Sequence, residues 1–241
     1  MRAVILAAGK GSRLGNLTDD TPKSMLKLND EHTLLSYNVM QLSEAGIESI
    51  ILVSGYQSQK IEDYSQELAI IYDISIEIVL NPFWDHCNVL GSFYMSLEII
   101  KDDFIFLHAD TLSSKEVVDG LIASVSDVCL AVDLKPCGEE EMKVWLENNK
   151  VKRITKCDIG YKADGEFVGI AKFSRSMIAY FREKSRAIFK LGVLDSYMEQ
   201  VLDNALVEDS LLVEYFDASA YSTIEVDFIE DLAMAQSMFG D

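Results

Sequence analysis

This chain has few of the features that mark membrane, nucleic-acid-binding or disulfide-rich proteins. Its longest apolar runs have only the length of a strand and are interrupted by charges, so we expect no transmembrane span and a cytoplasmic protein. Its 21 basic residues face 40 acidic ones, and the net charge of −19 argues against a nucleic-acid partner, because phosphate backbones require a basic surface. Its four cysteines are widely spaced without a C-x-x-C pair, which predicts reduced thiols rather than disulfides or a zinc site.

Motifs for covalent catalysis and for two common phosphate sites are also absent. The chain has no G-x-S-x-G string, no Cys/His pairing that indicates a nucleophile, and no metal-ligand spacing among His32, His86 and His108. It lacks a Walker A string, and Leu14 stands where the G-x-G-x-x-G fingerprint requires its third glycine. Any phosphate site must therefore follow another pattern.

Apolar strand-like segments alternate with helical periodicity over the first 110 residues. This alternation predicts right-handed crossovers and a mostly parallel sheet, whereas the second half favours antiparallel strands. The predicted class is α/β, with a Rossmann-like, mostly parallel mixed sheet, helices on both faces and a small antiparallel layer. The predicted strands are 3–8, 49–54, 74–80, 103–107, 128–133, 143–155, 166–173, 211–216 and 222–226, and the predicted helices are 33–45, one after Gly55-Tyr56, 89–100, 175–184, 194–202 and 228–238.

The loop after the first strand has the composition of a phosphate cradle. It carries Gly9, Gly11 and Gly15, with Arg13 between them and Lys23 at its end. Glycines let backbone N–H groups approach an anion closely, and the cationic side chains supply the opposite charge. An ordinary Gly-rich turn would explain the glycines but not the two cations.

The same stretch carries an ordered signature. Leu6-Ala7-Ala8-Gly9-x-Gly11-x-Arg13-Leu14, followed by Thr18 and by Pro22-Lys23-x-Met25, resembles the nucleotidyltransferases that join a nucleoside triphosphate to a phosphorylated small molecule. The segments 81–92 and 165–169 resemble the cytidylyltransferases for phosphocholine and aminoethylphosphonate within that family. The resemblance implies catalytic roles for Lys23 and Arg13. The nucleotide-binding residues that it implies are Leu6, Ala7, Ala8, Gly9, Gly11, Ser12, Gly55, Tyr56, Asn88 and Ser92.

Two aspartates are the metal-ligand candidates. Asp110 ends an apolar strand, and Asp227 precedes the last helix in the string Glu225-Val226-Asp227. The resemblance implies that both hold Mg²⁺, a cation that takes few carboxylates and several phosphate or water oxygens. A turn-forming role is the alternative for Asp110, and a capping box with Glu230 is the alternative for Asp227.

We expect acceptor contacts at Trp84 and Glu166, which lie in the two resembling segments, and at Tyr221, whose ring could contact a cationic head group. Glu166 could instead contact the metal. A core role for Trp84 and a solvated hairpin position for Glu166 are the alternatives. The implied reaction is transfer of CMP from CTP to a small phosphate or phosphonate acceptor of the phosphocholine, aminoethylphosphonate or amino-acid-phosphate type. The acidic excess in the second half also suits a cationic head group.

Two other functions stay open. One is a sugar-1-phosphate nucleotidyltransferase that uses UTP or dTTP, and the other is a non-catalytic nucleotide-sensing module. Because no repeat or linker is evident, we expect one domain over residues 1–241, with a nucleotide-binding half, 1–120, and an acceptor-binding half, 121–241, that supplies the second metal ligand. We expect no membrane partner, and the oligomeric state, a homo-oligomer included, is left open.

Overall fold

A computed structural model describes residues 1–240. The strands are β1 Arg2–Ala7, β2 Ser49–Ser54, β3 Ser75–Leu80, β4 Phe104–His108, β5 Thr111–Ser113, β6 Val128–Asp133, β7 Lys143–Glu147, β8 Lys150–Thr155, β9 Gly165–Phe173, β10 Glu214–Asp217 and β11 Thr223–Glu225. The α-helices are α1 Leu34–Glu44, α2 Ser58–Ile71, α3 Val89–Ser96, α4 Lys115–Ala123, α5 Met177–Lys190, α6 Met198–Glu208 and α7 Ile229–Phe239, and two 3-10 helices span Ser12–Thr18 and Lys23–Met25.

The main sheet has the order β10-β6-β9-β4-β1-β2-β3, and β7 and β8 extend it beside β9. The strands β4, β1, β2 and β3 run parallel, and β9 runs antiparallel to both β4 and β6. The strands β5 and β11 form a separate two-stranded antiparallel ribbon. The predicted mixed, mostly parallel sheet with an added antiparallel layer is therefore confirmed.

Helices cover both faces of this sheet because side chains along a strand alternate between faces. Val4 of β1 belongs to a cluster that includes residues of α3, α5 and α6, whereas its neighbours Ala3 and Ile5 belong to one that includes α1, α2 and α4. A third cluster joins the loop after β1 to the last helix, with Leu14 packed in the same group as Phe239. The loop after β1 is thus packed against the last helix.

Local sequence accounts for several element ends. Thr33 caps α1 through a reciprocal pair with Ser36, and Gly46 follows the helix at φ 82°, a conformation that glycine adopts without strain. The register places Leu6 opposite His108 and Ala7 opposite Ser54. The carboxyl ends of β1, β2 and β4 therefore meet at one edge, where ligands of such sheets bind.

The structure differs from the sequence-based expectations in β5, α4 and α6. The strand β5 and the helix α4 lie in a region for which no element was predicted, and β5 is too short to show a periodic pattern. Helix α6 begins at Met198, four residues later than predicted. Among residues 1–240, every helix is too short or too polar to cross a bilayer.

Candidate active site

The loop after β1 folds against the edge of the sheet as a tight left-handed turn. Gly11 has φ 70°, and the Leu14 N–H donates to its carbonyl at 3.0 Å. The Thr18 hydroxyl donates to the carbonyls of Gly11 and Gly15, at 3.1 and 3.2 Å. A Cβ built on Gly11 would lie 2.7 Å from Cδ of Lys23, so only glycine lets the aliphatic stem of Lys23 pass beneath the turn.

Two carboxylates from distant parts of the chain meet above this loop. Asp110 follows β4, and Asp227 follows β11. The pairing of β5 with β11 continues into a hydrogen bond from the Val226 N–H to the Asp110 carbonyl, at 3.0 Å. This ribbon is what brings the two aspartates together.

Lys23 lies between the two carboxylates. Its Nζ is 2.6 Å from Oδ2 of Asp110 and 2.8 Å from Oδ1 of Asp227. Arg13 Nη1 contacts the other oxygen of Asp227 at 2.7 Å. The structure thus joins Arg13, Lys23, Asp110 and Asp227 in one continuous charged network.

Burial makes this network electrostatically strong. Lys23 is only 8% exposed, and burial alone would lower its pKa, but the charges of Asp110 and Asp227 outweigh burial and hold the pKa above its ordinary value. The Asp110 pKa is lowered although burial opposes this, because Lys23 and His108 lie close. Glu225 stands beside the pair, and burial together with the Asp110 charge raises the pKa of Glu225 to about 7.

These donors fit a hard divalent cation. An ammonium already bridges Asp110 and Asp227, which shows that the space between them accepts positive charge. Ligand atoms of His108, Asp110 and Glu225 lie within 4.8 Å of one another, so further donors adjoin the pair. Carboxylate oxygens that remain open to a phosphate are the set that Mg²⁺ uses in phosphoryl-transfer sites.

The N-terminus of α7 is capped by Asp231 and not by the pair of Asp227 and Glu230 that the sequence offered as an alternative. The carboxylate of Asp231 accepts hydrogen bonds from the N–H groups of Asp227, at 3.0 Å, and Phe228, at 2.7 Å. The carboxylate of Asp227 instead contacts Lys23 and Arg13. Asp231 therefore caps α7, and Asp227 faces the charged network.

A cavity of about 320 Å³ opens beside this network. A smaller one of about 100 Å³ lies against the loop. Nine of the predicted site residues line the larger cavity, namely Leu6, Ala8, Gly9, Arg13, Trp84, Asn88, Ser92, Asp110 and Asp227. Ala7, Gly11 and Lys23 line the smaller one.

Gly55 and Tyr56 do not line the cavity but pack against Ala8 and Trp84, which do. A Cβ on Gly55 would lie 2.6 Å from Cβ of Trp84 and 2.7 Å from the carbonyl of Ala8, so glycine permits the two loops to close. The Tyr56 N–H donates to the same carbonyl at 2.9 Å, and its ring packs edge-on against Trp84 at 5.2 Å. Ser12 is exposed at the start of the first 3-10 helix and lines neither cavity.

Asn88 and Ser92 occupy the start of α3. The Asn88 side chain accepts from the Val89 N–H at 2.8 Å as the helix cap, and its amide donates to Asp195 at 2.8 Å. Ser92 accepts a hydrogen bond from the buried amide of Asn81 at 3.0 Å. Both residues reach the cavity from one side of the helix.

Two predicted acceptor residues lie elsewhere. The Glu166 carboxylate pairs with Lys135 at 2.8 Å, on β9 outside the cavity. Tyr221 stacks on Phe216, with ring centroids 5.6 Å apart, and does not line the cavity. Neither residue lines the cavity; on β9, whose side chains alternate between faces, Phe167 does so instead of Glu166. An acceptor role for Glu166 and Tyr221 stays a prediction.

Several cavity residues escaped the sequence interpretation. His108 lacked metal-ligand spacing, and Glu225 was noted only as a neighbour of Asp227. Glu199, Lys156 and Tyr197 come from the second half, where no motif was available. A carboxylate among the apolar residues of an amphipathic helix, as in Met198-Glu199-Gln200-Val201-Leu202, is the only signal that could have pointed to Glu199.

Comparison with known proteins agrees with this geometry. The family profile described as "MobA-like NTP transferase domain" matches residues 3–178. The CTP:phosphoglutamine cytidylyltransferase of Campylobacter jejuni is 28% identical, over 96% of this chain and 98% of its own. The choline-phosphate cytidylyltransferase of Streptococcus pneumoniae is 26% identical, over 96% of this chain and 95% of its own.

Solved structures share the fold along the whole described chain. The inositol-1-phosphate CTP transferase from T. maritima superposes with a TM-score of 0.80 at 22% identity, covering 98% of this chain and 94% of its own. The CTP:phosphocholine cytidylyltransferase from Streptococcus pneumoniae superposes with a TM-score of 0.75 at 21% identity, covering 98% of both chains. Since the family profile runs from β1 to the start of α5, with the phosphate loop and Asp110 inside it, this chain belongs to the MobA-like NTP transferase family and is a nucleotidyltransferase.

Proposed function

We propose that this protein is a cytidylyltransferase that transfers CMP from CTP to a small phosphorylated or phosphonate acceptor and releases pyrophosphate. The observation that carries the proposal is the buried Lys23, which bridges Asp110 and Asp227 at the mouth of a glycine-rich loop. A nucleotide-sensing module would need the loop, but it would not need two converging carboxylates beside a buried cation. Two relatives that align over nearly the whole of both chains are named as cytidylyltransferases.

In the proposed reaction, an oxygen of the acceptor phosphate attacks the α-phosphorus of the triphosphate in line. The new P–O bond forms as the bond from the α-phosphorus to the bridging oxygen breaks, and that electron pair leaves with pyrophosphate. The acceptor is already an anion, so no protein base is required. Bound by Asp110 and Asp227, Mg²⁺ would supply positive charge to the phosphate oxygens.

Lys23 and Arg13 serve different parts of that step. Lys23 carries a compact charge on a stem fixed beneath Gly11, so it suits the negative charge that develops at the α-phosphate. Arg13 is half-exposed and presents a planar fork suited to two oxygens of the leaving pyrophosphate. Gly9 and Gly11 leave space for the β- and γ-phosphates beside them.

The acceptor that we propose is a zwitterion of the phosphocholine, aminoethylphosphonate or amino-acid-phosphate type. Trp84 lines the cavity, and a cation placed over its ring would gain about 0.5–2 kcal/mol. Glu140 and Glu199 line it as well, so its acceptor side is acidic. A hexose-1-phosphate with UTP or dTTP is the second candidate, since a putative glucose-1-phosphate thymidylyltransferase from Bacillus anthracis shares the fold.

A matrix of nucleotides and acceptors tests the proposal. Pyrophosphate release is measured with CTP, UTP, dTTP, ATP and GTP against phosphocholine, 2-aminoethylphosphonate and glucose-1-phosphate, in the presence of Mg²⁺. We expect the highest kcat/KM with CTP and a zwitterionic acceptor. Faster turnover of UTP or dTTP with glucose-1-phosphate would overturn the cytidylyltransferase assignment, and binding without pyrophosphate release in every combination would favour the sensing module.

A further inference from the structure

The acceptor side of the cavity is built on the first turn of α6. The segment before α6 is tied to the start of α3 by two backbone hydrogen bonds, from Asn88 N–H to the Leu194 carbonyl at 3.1 Å and from Leu90 N–H to the Ser196 carbonyl at 3.0 Å. The Asn88 amide adds a third bond, to Asp195 at 2.8 Å. These bonds fix the position of Glu199, the second residue of α6.

Glu199 is a buried carboxylate in the cavity wall. The residue is 2% exposed and lines the cavity, yet its Oε2 has no hydrogen-bond partner anywhere in residues 1–240. Leaving a buried polar atom unpaired is costly, and the cost is larger for a charge. His108, on the same cavity, has an Nε2 atom that is also buried and unpaired across that described range. Buried and unpaired groups of this kind indicate a ligand that completes their bonding.

The surroundings of Glu199 leave it without an ion-pair partner. The charged groups that influence it are His108, at the end of β4, and Lys156, which follows β8. The Lys156 ammonium lies over the ring of Tyr197, 5.2 Å from the centroid, instead of contacting the carboxylate. Burial accordingly raises the pKa of Glu199, as expected for a carboxylate that lacks a compensating charge.

We propose that Glu199 is the specificity residue for the acceptor head group, and that it binds an ammonium or amide N–H carried by that group. The proposal rests on the proposed function for the position of the acceptor phosphate, beside Lys23 and Arg13. An N–H donor satisfies the unpaired Oε2, and an ammonium also neutralises the buried charge, which a sugar hydroxyl does not. A charged donor should therefore bind to Glu199 more tightly than a neutral donor.

Calorimetric binding tests this role independently of turnover. The probes are ω-aminoalkyl phosphates with two to four carbons and n-alkyl phosphates with the same number of heavy atoms, and 2-hydroxyethyl phosphate represents the neutral donor. For at least one chain length, we expect the wild type to bind the ω-aminoalkyl phosphate roughly 10- to 100-fold more tightly than the n-alkyl phosphate of the same size. This is the range for a hydrogen bond to a charged group. We expect Glu199→Gln to reduce that ratio to less than about 3-fold.

Two variants serve as controls. Glu208→Gln removes an exposed carboxylate from the far end of the same helix and should keep the wild-type ratio. Glu199→Asp keeps the charge on a shorter side chain and should retain a preference for the amine, which a purely structural role would not predict. Equal affinity of the wild type for amines and alkyl phosphates, or a preference that survives Glu199→Gln, would overturn the proposal.

The binding result also separates this inference from the proposed function. If pyrophosphate is not released with CTP and any acceptor, the proposed function fails, but the contrast between amine and alkyl phosphates still decides the role of Glu199. If CTP is turned over and the contrast is absent, only the role of Glu199 fails.

Discussion

Replacing Lys23 with methionine isolates the charge at the centre of the network. Methionine keeps most of the aliphatic stem that passes beneath Gly11, where a Cβ added to the glycine would lie only 2.7–3.0 Å from the lysine carbons, and it removes the ammonium. Asp110 and Asp227 would then face each other without the cation that now bonds to both. We expect the variant to fold, with lower stability and a lower turnover number.

The expected loss of stability follows from the burial of the network. Removing one member of a buried ion pair typically costs about 3–5 kcal/mol, because its partner stays buried without compensation. The Asp227 side chain is 34% exposed, so solvent screens part of this loss, and we expect about 2–3 kcal/mol. For a chain of this length, each kcal/mol lowers Tm by roughly 2–4 °C, so Tm should fall by about 4–12 °C.

Calorimetric unfolding with and without Mg²⁺ is the assay. Without metal, Lys23→Met should melt well below the wild type, and added Mg²⁺ should raise Tm of the variant more than Tm of the wild type, because the vacated carboxylates can bind it. The kcat should fall about 10²-fold or more, with a smaller change in nucleotide affinity, because a cation placed at developing charge acts mainly in the transition state.

Lys27→Met provides the matched control. Lys27 is exposed, four residues along the chain, and its ammonium makes no ion pair within residues 1–240. Wild-type stability of Lys23→Met, or a Tm that Mg²⁺ leaves unchanged, would refute the assignment of this network as a cation site. A raised KM for nucleotide at constant kcat would show instead that Lys23 contributes only uniform binding.

Asp110→Ala and Asp227→Ala should each abolish pyrophosphate release while circular dichroism shows folded protein, and EDTA should stop the wild type; activity that persists in a folded variant would exclude its carboxylate as a metal ligand. Gly11→Ala should lower both Tm and kcat because its Cβ would displace the buried lysine, whereas Gly46→Ala, also at positive φ but in open space, should lower Tm alone; equal losses of kcat would contradict this. Because burial raises the pKa of Glu199 in the folded protein above its ordinary value of 4.5, the free energy of unfolding should fall as pH rises through the raised folded pKa. Urea unfolding between pH 4 and 8 should show a steeper fall in the wild type than in Glu199→Gln, in which Glu225 still contributes a fall of its own, and parallel curves would refute the assignment to Glu199.

The phosphate loop of the candidate site could be located from sequence because its glycines and cations lie in one continuous stretch. Arg13 and Lys23 stand at fixed positions in the loop, and the strand before them ends where parallel strands place their ligands. Asp110 follows the same rule at the end of β4. Strand ends are set by local apolar runs, so these placements needed no knowledge of tertiary contacts.

The acceptor side depends on contacts that the sequence does not reveal. Whether Glu166 or Phe167 lines the cavity depends on the register of β9 against β6, where a shift between Leu130 and Val132 changes the pairing. Glu199 reaches the cavity only because the segment before α6 is bound to α3. The cap of α7 likewise could not be decided from sequence, because Asp227 and Asp231 both suit a helix start and tertiary ion pairs decide between them.

The network spans almost the whole chain, with sequence separations of 204 positions from Lys23 to Asp227 and 214 from Arg13 to Asp227. During translation, the phosphate loop therefore leaves the ribosome long before its second carboxylate partner and before α7, whose Phe239 belongs to the same hydrophobic cluster as Leu14 beneath the loop. Until those last elements emerge, the loop lacks its support and Lys23 lacks half of its bonding. We therefore expect a chain that is truncated before Asp227 to lack the second carboxylate of the network and to turn over no nucleoside triphosphate.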